Sequence, residues 1–305
     1  MHKKINIFWF RRDLRLKDNA GLYHALKEGN NEPVLPIFIF DKNILDKLST
    51  KEDRRVQFIY EVLEEMQVQL VKTGTSLKVF YDNPKTAFEK LLKEYNIGKV
   101  FTNHDYEPYA KERDQEIAGL LKKHKVSMFT FKDQVIFEKD EVIKDDGKPY
   151  TVFTPYSRKW KATLTDFHVK PYPTEKYFSA FLPQNEIKIP TLDKLGFKEV
   201  NKSFPGKDLD EVLVTHYAQQ RNFPGTKGTS KLGVHLRFGT ISIRQLVSKA
   251  KNLSETFLNE LIWRDFYQMI LWYFPQVAYG KSFKPAYDHI EWRRDNGEFE
   301  KWCHG

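Results

Sequence analysis

The 305-residue chain contains a single cysteine, Cys303. That excludes an internal disulfide framework and any metal site built on several thiolates, and it fits a reducing, cytoplasmic compartment. No apolar run approaches the ~20 residues of a membrane span. The run Ile5–Phe10 at the N-terminus is too short for a signal peptide and is interrupted by Arg11-Arg12. Gly and Pro, at 15 and 14 residues, are ordinary in number, so collagen-like and low-complexity classes are out. No internal repeat is visible. No G-x-G-x-x-G follows the first apolar run, no G-x-S-x-G elbow occurs, and the nine histidines show no metal-ligand spacing. Gly228 and Gly233 are spaced like the glycines of a P-loop. Val234-His235 stands where Lys-Ser/Thr would be needed, which argues against a nucleotide triphosphate site.

What is present points to a folded, basic protein. The length suggests two domains, and 40% hydrophobic with 15% aromatic residues is too rich for disorder. The net charge of +9 is uneven: residues 1–150 carry 27 basic and 25 acidic residues, residues 151–305 carry 23 and 16. Between Val212 and Ser254 there is no acid at all, against Arg221, Lys227, Lys231, Arg237, Arg244, Lys249 and Lys251. Such a segment suits a polyanion, either nucleic acid or the phosphates of a cofactor; a solvated basic face is equally compatible with charge alone.

The first ~130 residues alternate strand and helix patterns, which predicts a parallel α/β sheet. Strand-like runs fall at Ile5–Phe10, Val34–Phe40, Leu77–Tyr81, Val100–Thr102 and Val126–Phe131. A helix is expected from a capping box at Ser49/Glu52 or Thr50/Asp53, running through Val56, Ile59, Leu63 and Met66 to a stop at Thr73-Gly74. Prolines at 149, 155, 171, 173, 183, 190 and 205 break longer elements, so residues 133–207 read as an extended connector. From Asp208 the pattern is helical, clearest between an N-cap at Ser254 and Phe274 before Pro275.

Two stretches could carry chemistry. The run Gly228-Thr229-Ser230-Lys231-Leu232-Gly233 offers hydroxyls, a cation and flexible backbone at a helix start, a possible anion site or a plain turn. In Glu260-Leu261-Ile262-Trp263-Arg264-Asp265-Phe266-Tyr267, Glu260 and Arg264 have the spacing of a helix ion pair. Thirteen of the 46 residues from Phe257 to Trp302 are aromatic. Most of those should be core, with two or three left to stack on bases or a flat cofactor.

Four segments, in order, resemble the DNA photolyase/cryptochrome family, most closely its class I cyclobutane pyrimidine dimer photolyases. They are Ile7 to Asn19, Tyr217 to Pro224, Gly228 to Ser242, and Asn259 to Tyr267. The resemblance implies a Rossmann-like α/β antenna-type domain over 1–132, a connector over 133–207, and over 208–305 the first part of an all-α FAD-binding domain. Family members continue past the counterpart of Trp302 to Gly305 into further helices. It is therefore expected that this chain leaves its helical domain incomplete, with exposed apolar faces and weak flavin binding. The implied flavin contacts are Tyr217, Thr229, Ser230, Lys231, Leu232, Gly233 and Phe257, with Lys231 standing where Arg is frequent. Arg221 and the run Glu260, Leu261, Ile262, Trp263, Arg264, Asp265, Phe266 and Tyr267 would border damaged DNA, Glu260 bonding the lesion and Trp263 stacking on it. Trp292 would be the outermost member of a tryptophan electron-transfer chain. The implied activity is light-driven repair of pyrimidine dimers by a monomeric flavoprotein. The alternative is a cryptochrome-like blue-light flavoprotein without repair. A second, antenna chromophore is left open in type; Pro108-Tyr109-Ala110 disfavours folate, and a deazaflavin or none remains.

Overall fold

The computed structural model describes residues 3–29, 32–293 and 295–305. Five parallel strands form one sheet in the order β3-β2-β1-β4-β5: β1 (Ile5–Phe10), β2 (Val34–Asp41), β3 (Lys78–Asp82), β4 (Ile97–Asn103) and β5 (Ser127–Phe131). The connecting helices are α1 (Ala20–Glu28), the short α2 (Lys42–Leu45), α3 (Arg54–Lys72), α4 (Pro84–Glu94) and α5 (Pro108–Lys123). Side chains alternate across a strand, and here both faces are apolar. Phe8, Phe10, Phe38 and Phe40 join Leu22 of α1 and Leu63, Met66 and Leu70 of α3. Ile7, Trp9, Leu35, Ile37 and Ile39 join Phe88 and Leu91 of α4 and Ile117 and Leu121 of α5. A sheet covered on both faces needs continuous hydrophobic strands, which is why β1 and β2 lack a polar rhythm.

The helix expected after Ser49 starts later than either proposed capping box. Asp53 is its cap, accepting from the Arg55 amide at 2.8 Å. Thr50 instead closes a local turn by accepting from the Glu52 amide. The predicted stop holds: Thr73 ends α3 and Gly74 follows at φ +81°.

The segment 133–207 is more than an extended connector. It contains α6 (Phe153–Thr163), and its Ile136, Phe137, Tyr156, Trp160 and Val169 are buried in a second core. The rest of that core comes from α10 (Ile243–Leu253) and α11 (Glu255–Tyr273). Two prolines did not prevent the helix because Pro149 precedes it and Pro155 lies in its first turn, where no amide donor is required. The short α7 (Glu211–Thr215), α8 (Tyr217–Gln220) and α9 (Gly233–Phe238) lie between, and α12 (Asn296–His304) ends the chain. Ser254 caps α11 as expected, accepting from the Phe257 amide at 3.3 Å.

A buried polar node joins the two cores. Asp133 accepts from Arg15 at 2.7 Å and Arg244 at 2.8 Å, and Arg244 also reaches Asp18 at 2.8 Å. Burial alone would push the Asp133 carboxyl up; the Arg15 and Arg244 guanidiniums reverse this and hold it at about 2. Beside the node, the Leu14 amide donates to the Phe238 carbonyl at 3.0 Å. Gly239, at φ +63°, lies so close to the Arg12 carbonyl that a Cβ would sit 2.2 Å from its oxygen. Only glycine fits there.

Candidate functional site

The helix α11 divides its residues between core and surface. Leu258, Leu261, Ile262, Asp265, Phe266 and Met269 face inward, following the helical period. Glu260 and Trp263 are half-buried on the opposite side, and Tyr267 is exposed. Glu260 pairs with Arg221, just past the end of α8. The Arg221 guanidinium also lies 5.4 Å from the Tyr217 ring, and Tyr217 meets buried Phe257 edge-on at 5.2 Å and 90°. The flavin-side and DNA-side residues of the sequence reading are thus contiguous: Phe257, Tyr217, Arg221, Glu260. The Glu260 carboxylate raises the Arg221 pKa, and partial burial raises that of the Tyr217 phenol.

A cavity of about 380 Å³ opens beside this row, lined by Phe153, Ala218, Arg221, Asn222, Thr256, Asn259, Glu260 and Trp263. Asn259 Oδ1 is buried without a hydrogen-bond partner among the described residues. A buried orphan acceptor carries a desolvation cost, so a donor group entering the cavity could offset it. Trp263 is the aromatic wall. Phe153 lies flat on it at 3.7 Å and 5°, and Tyr267 stacks on it at 5.4 Å and 24°. Phe153, Asn222 and Asn259 were not singled out in the sequence. Asn259 lies inside a quoted motif, whereas nothing local marked Phe153.

Several expected DNA contacts need correction. Leu261, Ile262, Asp265 and Phe266 are at most 5% exposed and belong to the core. Asp265 ties α11 to the segment before α6: its Oδ2 accepts from the amides of Ile136 and Phe137 at 3.1 and 3.2 Å and from Trp160 Nε1 at 3.0 Å. Burial pushes its pKa up to about 6 despite Arg264 and these donors. Arg264 does not pair with Glu260. Its guanidinium donates instead to the carbonyls of Gln134 and Leu236, while Glu260 is taken by Arg221. The surface-facing set is therefore Arg221, Glu260, Trp263 and Tyr267. Trp292 is 75% exposed on an irregular stretch, with no ring neighbour among the described residues.

In the hydroxyl run, Thr229, Lys231 and Gly233 are exposed, Ser230 is half-buried and Leu232 is core. Gly228 packs against Gln220 so closely that a Cβ would meet its carbonyl carbon at 2.7 Å, and Lys231 adopts φ +54°. The acid-free segment is less free than its sequence suggests. Arg221, Arg237, Arg244, Lys249 and Lys251 find acids elsewhere: Glu260, Glu107, Asp18 with Asp133, Glu211 and Asp166. Lys227 and Lys231 have no carboxylate within 4.0 Å among the described residues. Two hydroxyls and an uncommitted ammonium are a donor set that fits phosphate oxygens.

A second cavity, of about 480 Å³, sits at the carboxyl ends of β1, β2 and β4, lined by Trp9, Arg12, Asp41, Tyr109, Arg113 and Phe238 among others. Ligands of open parallel sheets bind at such a switch point. The guanidiniums of Arg11 and Arg113, which share Asp114, lie 5.0 and 4.9 Å from the Trp9 ring. Burial raises the Asp41 carboxyl, and burial plus the hydrogen bond to Asp41 pushes the Tyr109 phenol up to about 12. No helix among the described residues is long and apolar enough to cross a membrane, and none of their acidic, His or Cys side chains cluster as a metal site.

The family model of DNA photolyase matches residues 6–176, and that of the FAD binding domain of DNA photolyase matches residues 257–305. The chain belongs to the DNA photolyase family. It is 29% identical to the deoxyribodipyrimidine photo-lyase of a Synechococcus species, over 97% of this chain and 66% of that protein. An archaeal photolyase from Sulfolobus tokodaii, solved with two FAD molecules, superposes with a TM-score of 0.75 at 26% identity, covering 98% of this chain and 66% of that one. A bacterial class III photolyase from Agrobacterium tumefaciens gives the same TM-score at 23% identity over 99% and 66%, a likeness of fold. The chain thus spans about two thirds of the length of the curated relatives it matches.

Proposed function

We infer that this chain carries the lesion-facing part of a light-driven enzyme that repairs cyclobutane pyrimidine dimers in DNA. The observation that carries the reading is the contiguous row Phe257, Tyr217, Arg221 and Glu260, whose last two members line one open cavity together with Trp263. Reduced FAD, when bound, would supply the photoexcited electron that splits the cyclobutane ring. Tyr217 and Phe257 would hold one side of the flavin. Thr229, Ser230 and Lys231 would take its phosphates, and the close approach of Gly228 to Gln220 positions that run.

On the DNA side, a dimer must leave the duplex to enter the cavity, at a cost of a few kcal/mol that is least for a damaged base. Trp263 offers a stacking surface, Glu260 a charged acceptor for base N–H groups, and Arg221 a cation for the flanking phosphate. The Glu260–Arg221 pair keeps both groups oriented before DNA arrives. The cavity at the strand ends fits the antenna chromophore: it is walled by Trp9 and edged by Arg12 and Arg113, features suited to a flat, anionic ring system.

The test is repair itself. The chain, supplied with reduced FAD and a thymine-dimer oligonucleotide, is illuminated with blue light, and recovery of thymine absorbance is followed. Repair in proportion to the flavin held is expected of the wild type, and Glu260→Gln should lower repair per bound flavin more than it weakens flavin binding. Flavin binding without dimer preference or repair would replace this reading with that of a light-responsive flavoprotein.

A further inference from the structure

We propose that Phe153 is a gate on the stacking face of Trp263: it occupies the place of a nucleobase and must leave before a dimer can stack. The proposal rests on the dimer-site reading above. Both rings line the same cavity with Glu260 and Arg221. Their centroids are 3.7 Å apart and their planes differ by 5°. Aromatic side chains in proteins favour offset or edge-on pairs over such a face-to-face sandwich, whereas parallel stacking at van der Waals distance is how a base lies on an indole. The other neighbours of Trp263 keep the usual arrangements, Phe266 edge-on at 5.6 Å and 80° and Tyr267 stacked at 5.4 Å.

The position of Phe153 in the chain suits movement. It is the first residue of α6, its N-cap Val152 supplies no side-chain hydrogen bond, and Val152 is 56% exposed. Residues 132–152 form no helix or strand, so the backbone entering α6 is not held by a ladder. The core anchors of α6 are Tyr156 and Trp160, on later turns. Phe153 can therefore swing out without unpacking the helix. A ring in this place also adds selectivity. Each base that enters must displace it, and a dimer, already poorly stacked, loses less in doing so than an intact base.

The experiment compares binding of single-stranded oligonucleotides with and without a thymine dimer to the 305-residue chain, by fluorescence anisotropy. Phe153→Leu, which keeps an apolar group but removes the ring, should bind the dimer strand roughly 2- to 10-fold more tightly, the factor an aromatic pair is worth. Dimer binding that is unchanged or weaker in Phe153→Leu makes the ring a fixed wall and overturns the gate, leaving the dimer site intact. A wild-type dimer preference that survives Trp263→Ala sinks the dimer-site reading itself, and the gate with it. Stopped-flow tryptophan fluorescence of the wild type gives an answer independent of any variant. A gate predicts an observed rate that levels off at high DNA concentration, at the rate of opening. A rate that keeps rising in proportion to DNA overturns it.

Discussion

Asp133→Asn should be among the most destabilising conservative changes in this protein. Asp133 is fully buried. It accepts from Arg15 Nη2 at 2.7 and 2.8 Å, from Arg244 Nη2 at 2.8 Å and from the Ala20 amide at 3.0 Å. Arg244 would keep Asp18, but Asp133 is the only carboxylate paired with Arg15 among the described residues. Removing one partner of a buried ion pair costs about 3–5 kcal/mol, because it strands the other charge. Asparagine keeps the shape and one acceptor, so the lower end, about 3 kcal/mol, is expected. With a urea m-value near the upper end of ~1–3 kcal/mol/M, the midpoint should fall by about 1 M. The double variant Asp133→Asn, Arg15→Met removes the stranded charge and should recover part of the loss. The pH arm follows from the depressed carboxyl. Stabilisation is complete above the ordinary value of 3.8 and is lost as pH falls through about 2. At about 1.4 kcal/mol per pH unit, that difference is worth roughly 2.5 kcal/mol. A loss under about 1 kcal/mol in Asp133→Asn, or an acid limb no smaller than in the wild type, would refute the reasoning.

Four further outcomes are expected. Asp265 is raised to about 6, so its contribution is full below the ordinary 3.8 and falls by about 3 kcal/mol as pH rises through 6; in thermal melts across that range Asp265→Asn should lose this slope, and a retained slope would assign it to another group. Gly239→Ala places a Cβ at φ +63°, 2.2 Å from the Arg12 carbonyl oxygen, and should cost about 2–4 kcal/mol from strain plus overpacking. Gly147→Ala, at φ +76° with open space around it, should cost about 1–2 kcal/mol in the same denaturation assay, and equal losses would remove the close-approach argument. Lys231→Ala should weaken FAD binding roughly tenfold in a fluorescence titration and flatten its salt dependence; unchanged affinity would take Lys231 out of the phosphate site.

The sheet was legible because its signals are local. All five strand runs appear as β-branched or aromatic stretches, and turn or cap residues separate them. The node that joins the two cores was not legible, since Asp133 meets Arg15 across 118 positions and Arg244 across 111. The opening motif Arg11 to Asn19 was assigned by resemblance alone; in the fold, Arg15 and Asp18 serve the junction between cores, a role no local pattern could announce. The connector was misjudged for a related reason. Its prolines argued against long elements, while Tyr156 and Trp160, four apart, already held the period of one helical face.

Within α11 the same period separates core from interface. A motif quoted whole from Glu260 to Tyr267 treats eight neighbours alike, yet a helix turns each residue by 100°. Positions 261, 262, 265 and 266 must then face the core if 260 and 263 face the cavity and 267 the solvent. Asp265 obscured this, because a carboxylate in an apolar stripe reads as surface. Its partners are the amides of Ile136 and Phe137 and the Trp160 indole, supplied by a segment more than 100 residues earlier. That anchor has a consequence for the site. The stretch Asp265 holds leads into α6, and α6 begins with Phe153, the ring lying on Trp263. The buried carboxylate and the cavity are two sides of one helix, so a change at Asp265 should be felt at Trp263 without touching it.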